Sequence, residues 1–110
     1  MIKQDTLENR AKFVYLAIGS NLGDKKYNIE KAKFEIEKIG IKIESCSSFY
    51  ETDSWPNSNF PKYFNIVIKG KTFFKPSNLL KKIKQIEIII GRKMSFKNYP
   101  RICDIDIIDY

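Results

Sequence analysis

Two stretches with apolar residues at helical spacing, each stopped by a glycine, sit among apolar runs that read as strands. Ile29, Ala32, Ile36 and Ile39 recur with the period of a helix, and Gly40 follows them as a C-terminal stop. Leu79, Ile83, Ile86 and Ile90 repeat the pattern, with Pro76 where the helix would begin and Gly91 where it would end. Asp24 follows the turn residues Gly19-Ser20-Asn21-Leu22-Gly23 and is placed to cap the first helix. Strands are expected over residues 13–18, 41–50 and 63–69 and in the closing segment after Arg101. The order β-α-β-β-α-β predicts an α+β, ferredoxin-like fold, an antiparallel sheet with two helices on one face. The opposite face must then be solvated, covered by loops or used as a site.

The closing segment, Arg101-Ile102-Cys103-Asp104-Ile105-Asp106-Ile107-Ile108-Asp109-Tyr110, alternates apolar and acidic residues. With the period of a strand, Asp104 and Asp106 share one face, roughly 7 Å apart, and Ile105 and Ile107 share the other. Paired carboxylates repel unless a cation lies between them, and a hard divalent ion such as Mg²⁺ takes oxygen ligands. In the third strand, Phe64, Ile66 and Ile68 mark the core side, which puts Tyr63 and Asn65 on the open side with the acids. Asn is disfavoured inside strands, so Asn65 has a reason to be there. A long polar loop over residues 52–61 and a basic connection with Arg92, Lys93, Lys97 and Arg101 flank these strands. Long loops tend to be functional, and a guanidinium fork matches phosphate oxygens. The glycine turn after the first strand could cradle a phosphate, but it lacks the Gly-Lys-Ser/Thr ending of a Walker motif.

A chain of 110 residues reads as one domain, with residues 1–12 a polar extension and residues 13–110 the core. No run is long and apolar enough to span a bilayer, and the first residues lack the apolar centre of a signal peptide. Cys46 and Cys103 show no framework spacing, which predicts reduced thiols and a cytoplasmic protein. The net charge of +7 favours an anionic partner. There is no histidine, which excludes any mechanism within the chain that needs a histidine base or ligand.

The segments Leu16-Ala17-Ile18-Gly19-Ser20-Asn21-Leu22-Gly23-Asp24, Ser47-Ser48-Phe49-Tyr50-Glu51-Thr52, Tyr63-Phe64-Asn65, Glu87 with Gly91-Arg92, and Pro100-Arg101-Ile102-Cys103-Asp104-Ile105-Asp106 occur in that order. Together they resemble the 6-hydroxymethyl-7,8-dihydropterin pyrophosphokinase family, over nearly the whole chain. The resemblance implies a ferredoxin-like diphosphotransferase of folate biosynthesis. Such an enzyme moves a diphosphate from ATP to the hydroxymethyl group of the reduced pterin and releases AMP. It implies that Asp104 and Asp106 hold two Mg²⁺ ions bridging the ATP phosphates. Thr52, Asp53, Trp55, Tyr63 and Asn65 would form the pterin site. Glu87, Arg92, Lys97 and Arg101 would lie on the nucleotide side, with Arg92 and Arg101 joining the two aspartates in catalysis. The expected enzyme is a monomer that meets ATP and the pterin and binds no membrane.

The family pattern continues past the acidic strand with a second pterin-stacking aromatic, a histidine and further basic residues, none of which this chain carries. The expectation is weak or absent turnover for this chain alone, and an inactive remnant of the enzyme is the alternative. A ferredoxin-like RNA-binding module is a rival on net charge and sheet aromatics. The Lys/Arg-Gly-Phe/Tyr signature of such modules is missing, and two aspartates on the open face would repel phosphate without metal.

Overall fold

Period-two and period-3.6 apolar patterns resolve into β1 (Lys12–Ser20), α1 (Lys25–Lys38), β2 (Lys42–Cys46), β3 (Tyr50–Thr52), β4 (Tyr63–Thr72), α2 (Pro76–Ile90) and β5 (Asp104–Asp109). The computed structural model describes residues 10–54, 59–91 and 102–110. The strands form one antiparallel sheet in the order β2-β4-β1-β5, with β3 also paired to β4. With α1 packed on β1 and β4, and α2 on β5 and α1, this is the expected α+β ferredoxin-like arrangement.

The helix ends follow their local chemistry. Asp24 caps α1 by accepting a hydrogen bond from the Tyr27 N–H at 3.1 Å. At the other end Gly40, with φ 102°, donates to the Glu37 carbonyl, and Ile41 donates to that of Ile36. These two bonds form a Schellman cap, closed by the buried pair Ile36 and Ile41. Pro76 opens α2, and Gly91, with φ 115°, ends it.

The expected second strand is two strands. The segment 47–49 separates β2 from β3. Ser47 is the cause: its hydroxyl donates to the Ser48 carbonyl and accepts from the Val67 N–H, both at 2.9 Å. Side-chain bonds of this kind compete with a regular ladder. A register shift between Ile43 and Ser45 bends β2 further. Two other strands are longer than expected, β1 through Gly19 and Ser20 and β4 to Thr72.

Val14, Leu16 and Ile18 of β1, Ile66 and Ile68 of β4, and Ile105 of β5 face the helices. They meet Ile29, Ala32 and Ile36 of α1 and Leu79, Ile83, Ile86 and Ile90 of α2 in one core. Each such side chain contributes about 1.5–3 kcal/mol by leaving water. This one-sided core fixes the register, because a slip of one residue would turn every apolar side chain to solvent. The residues between them are thereby held on the uncovered face. At the end of β5 the Tyr110 hydroxyl donates to the Phe74 carbonyl, and burial pushes its pKa above the usual tyrosine value. Cys46 is exposed and Cys103 is buried. Among the described residues no helix is long and apolar enough to cross a membrane.

Ile83 is fully buried on α2 and Ile88 is exposed on the same helix. Ile83→Ala is expected to lower stability by about 2–5 kcal/mol through lost burial and a residual cavity. Ile88→Ala should stay within about 0.5 kcal/mol. Urea denaturation followed by circular dichroism checks both.

Candidate functional site

The uncovered face is built from cross-strand rows. Asp104 stands opposite Gly19, and Asp106 opposite Ala17. On the other side of β1, Gly19 stands opposite Asn65, which in turn stands opposite Tyr50 of β3. Thr52 is paired with Tyr63 in the next row. With neighbouring strands about 4.8 Å apart, an amide and a carboxylate flank a central position that has no side chain. Five of the expected site residues, Thr52, Tyr63, Asn65, Asp104 and Asp106, line one cleft of about 120 Å³ whose floor is Ala17 and Gly19. That volume is below the few hundred cubic ångströms of a pocket for a whole ligand.

Gly19 sets the shape of the floor. A Cβ added there would lie 2.8 Å from Asn65 Oδ1 and 3.2 Å from Tyr63 Cδ1. Only a residue without a side chain lets those two groups close over the strand. Asn65 Nδ2 donates to Thr52 Oγ1 at 3.0 Å and to the Tyr50 carbonyl at 3.2 Å. The carbonyl can only accept, so the amide orientation is settled, and Asn65 offers Oδ1 beside Gly19 as an acceptor.

The turn after β1 has a different role from the phosphate cradle considered in the sequence. Ser20 and Asn21 are almost fully buried. Asn21 Nδ2 donates to Ser54 Oγ at 2.9 Å and to the Pro61 carbonyl at 3.1 Å, and Ser54 Oγ donates to the same carbonyl at 2.6 Å. Asn28 Nδ2 donates to Ser20 Oγ and to the Leu22 carbonyl. These bonds staple the ends of the β3–β4 connection to the start of α1, and so hold Thr52 and Tyr63 in place. Sequence reading missed Ala17, Gly19, Asn21 and Ser54. The available signal was the outward face of β1, which falls in size from Phe13 and Tyr15 to Ala17 and Gly19.

Two expected site residues lie elsewhere. Asp53 points to solvent, 3.8 Å from Lys62 Nζ. Glu87 is 1% exposed on the helix side of the sheet, where Oε2 accepts the Ile105 N–H at 2.7 Å. It is a buried anchor of β5 and does not line the cleft. Trp55, Arg92, Lys97 and Arg101 lie outside the described residues. The far end of the open face carries Phe13 and Tyr15, with Lys69 Nζ 4.2 Å and Lys71 Nζ 5.6 Å from the Phe13 ring centre. These ammonium groups make cation–π contacts with that ring.

A sequence profile of the family described as 7,8-dihydro-6-hydroxymethylpterin-pyrophosphokinase (HPPK) matches residues 15–110. The chain belongs to that family. A pyrophosphokinase of Aquifex aeolicus, named 2-amino-4-hydroxy-6-hydroxymethyldihydropteridine pyrophosphokinase, is 44% identical over 97 residues, covering 88% of this chain and 60% of that protein. The folic acid synthesis protein FOL1 of Dictyostelium discoideum is 46% identical over 97 residues, covering 88% of this chain and 15% of that protein. The chain therefore spans less than two thirds of the length of these relatives. A crystal structure of an unknown protein from Galdieria sulphuraria aligns with a TM-score of 0.54 at 14% identity, covering 97% of this chain and 53% of the other, which is a likeness of fold. The pyrophosphokinase profile spans every residue of the cleft, from Ala17 to Asp106.

Removing the staple should loosen the cleft. Asn21→Ala leaves the Pro61 carbonyl and Ser54 short of a buried donor, at an expected cost of about 1–3 kcal/mol. Denaturant titration measures the loss. Faster amide exchange over residues 50–54 and 59–63, with α2 unchanged, would locate it.

Proposed function

We propose that this chain catalyses, or forms part of an enzyme that catalyses, ATP-dependent pyrophosphoryl transfer to 6-hydroxymethyl-7,8-dihydropterin in folate biosynthesis. The observation that carries the reading is the single cleft in which Tyr63, Asn65 and Thr52 meet Asp104 and Asp106. Family membership and the names of the Aquifex and Dictyostelium relatives support the same chemistry.

Tyr63 offers a flat apolar surface to the pterin ring, and Asn65 Oδ1 accepts from the ring's N–H edge. The bare floor at Gly19 lets the ring approach the sheet. In this pose the hydroxymethyl group is directed along the row toward the aspartates. Its oxygen attacks the β-phosphorus of ATP as the bond from that phosphorus to the α–β bridging oxygen breaks. AMP leaves, the pterin diphosphate forms, and the hydroxyl proton is released to solvent. Holding the two substrates in line supplies much of the rate enhancement, since no covalent intermediate is needed.

The donor set fits Mg²⁺. The carboxylates of Asp104 and Asp106 are the oxygen donors a hard cation takes, and a pair of them would share it with phosphate oxygens and water. This is how Mg²⁺ is commonly bound. When bound, Mg²⁺ neutralises charge on the phosphates. Arg92, Lys97 and Arg101 would add positive charge along the triphosphate. The exposed Cys46 thiol agrees with a reducing, cytoplasmic setting.

Asp104→Asn and Asp106→Asn should each weaken Mg²⁺-dependent ATP binding at least tenfold, about 1.4 kcal/mol, and leave pterin affinity within threefold. Isothermal titration calorimetry reads both constants. Unchanged ATP affinity in either variant, or AMP release that does not depend on the pterin, would reject the reading.

A further inference from the structure

Glu87 is a buried carboxylate that the proposed transfer does not use. It interrupts the apolar inner face of α2 formed by Leu79, Ile83, Ile86 and Ile90. A leucine would fill such a place without the cost of burying an ionisable group. The carboxylate has a specific task in its place. Its Oε2 accepts the Ile105 N–H at 2.7 Å, a charge-assisted bond at the short end of the usual range. Lys84 Nζ stands 3.7 Å from Oε1 and balances the charge from the surface.

Ile105 is the residue between Asp104 and Asp106. Among the described residues β5 is the end strand in the sheet order, paired on one side by β1. Its regular register covers residues 104–107, and a shift follows at Tyr15/Leu16 of β1. A short edge strand bearing two like charges on one face tends to fray. The Glu87 bond ties its outer side to α2 at the point midway between those charges.

We infer that Glu87 is a positioning residue for the aspartate pair: by holding the Ile105 amide it fixes the strand from which Asp104 and Asp106 project toward a hard cation and its phosphate. The inference rests on the pyrophosphoryl-transfer reading above. What Glu87 contributes is a hydrogen-bond acceptor at a fixed place, so glutamine can stand in for it and leucine cannot.

The test compares the wild-type chain with Glu87→Leu and Glu87→Gln. Three readouts are used: amide exchange at Ile105, the ¹³C shifts of the Asp104 and Asp106 carboxyl groups on adding Mg²⁺ with ATP, and calorimetric affinities for Mg²⁺–ATP and for the pterin. Glu87→Leu should speed Ile105 exchange at least a hundredfold, weaken Mg²⁺–ATP binding about tenfold and leave pterin affinity within threefold. Glu87→Gln should restore Ile105 protection and bring Mg²⁺–ATP affinity within threefold of wild type. If Glu87→Leu frees the Ile105 amide yet the carboxyl shifts and the affinity match wild type, the inference is overturned. Should Glu87→Leu fail to fold, Glu87→Gln decides: a tenfold loss with Ile105 still protected overturns it, because charge rather than placement would then matter. Wild-type carboxyl groups that do not respond to Mg²⁺ and ATP would instead overturn the pyrophosphoryl-transfer reading, and this inference with it.

Discussion

A strand position without a side chain holds the two halves of the cleft together. Gly19 lies between Asn65 on β4 and Asp104 on β5, and any Cβ there would strike the amide oxygen that the cleft presents. Filling that position would require the Asn65 amide to shift away from its bonds to Thr52 and Tyr50 and the Tyr63 ring to give by a few tenths of an ångström. With the position bare, an acceptor for a ring edge and a carboxylate pair for a cation stand across one strand from each other.

The row exists because the opposite face is committed. Ile18, Ile66 and Ile105, the neighbours of Gly19, Asn65 and Asp104, are buried against the helices. Burial of that set excludes any register in which the functional residues would turn inward. Local bonds then complete the alignment from two sides. Asn21 and Ser54 hold the β3–β4 connection at the amide end, and Glu87 holds β5 at the carboxylate end. Asn21 and Glu87, each 1% exposed, thus flank the cleft without lining it.

Alternation in β4 and β5 was enough to read which side chains share the open face, because period two survives any error in strand ends. The helix limits were legible for a similar reason: Asp24, Gly40, Pro76 and Gly91 act through local geometry. The break at 47–49 was not, since it depends on a Ser47 bond to Val67 in a strand distant along the chain. Gly19 and Asn21 looked like turn residues, and only the pairing of β1 with β4 shows that one is a floor and the other a staple. Glu87 looked like an ordinary helix acid because its partner is a backbone amide, which has no signature in side-chain spacing.

The most direct measurement is a two-step ¹H–¹⁵N titration of the wild-type chain, first with 6-hydroxymethyl-7,8-dihydropterin and then with Mg²⁺ and a non-hydrolysable ATP analogue. The row predicts that the pterin shifts the Gly19 amide and the Asn65 side-chain NH₂. The nucleotide should then shift the amides of Asp104, Ile105 and Asp106. Shifts confined to the helix side of the sheet, or a pterin response that leaves Gly19 and Asn65 unmoved, would contradict the account.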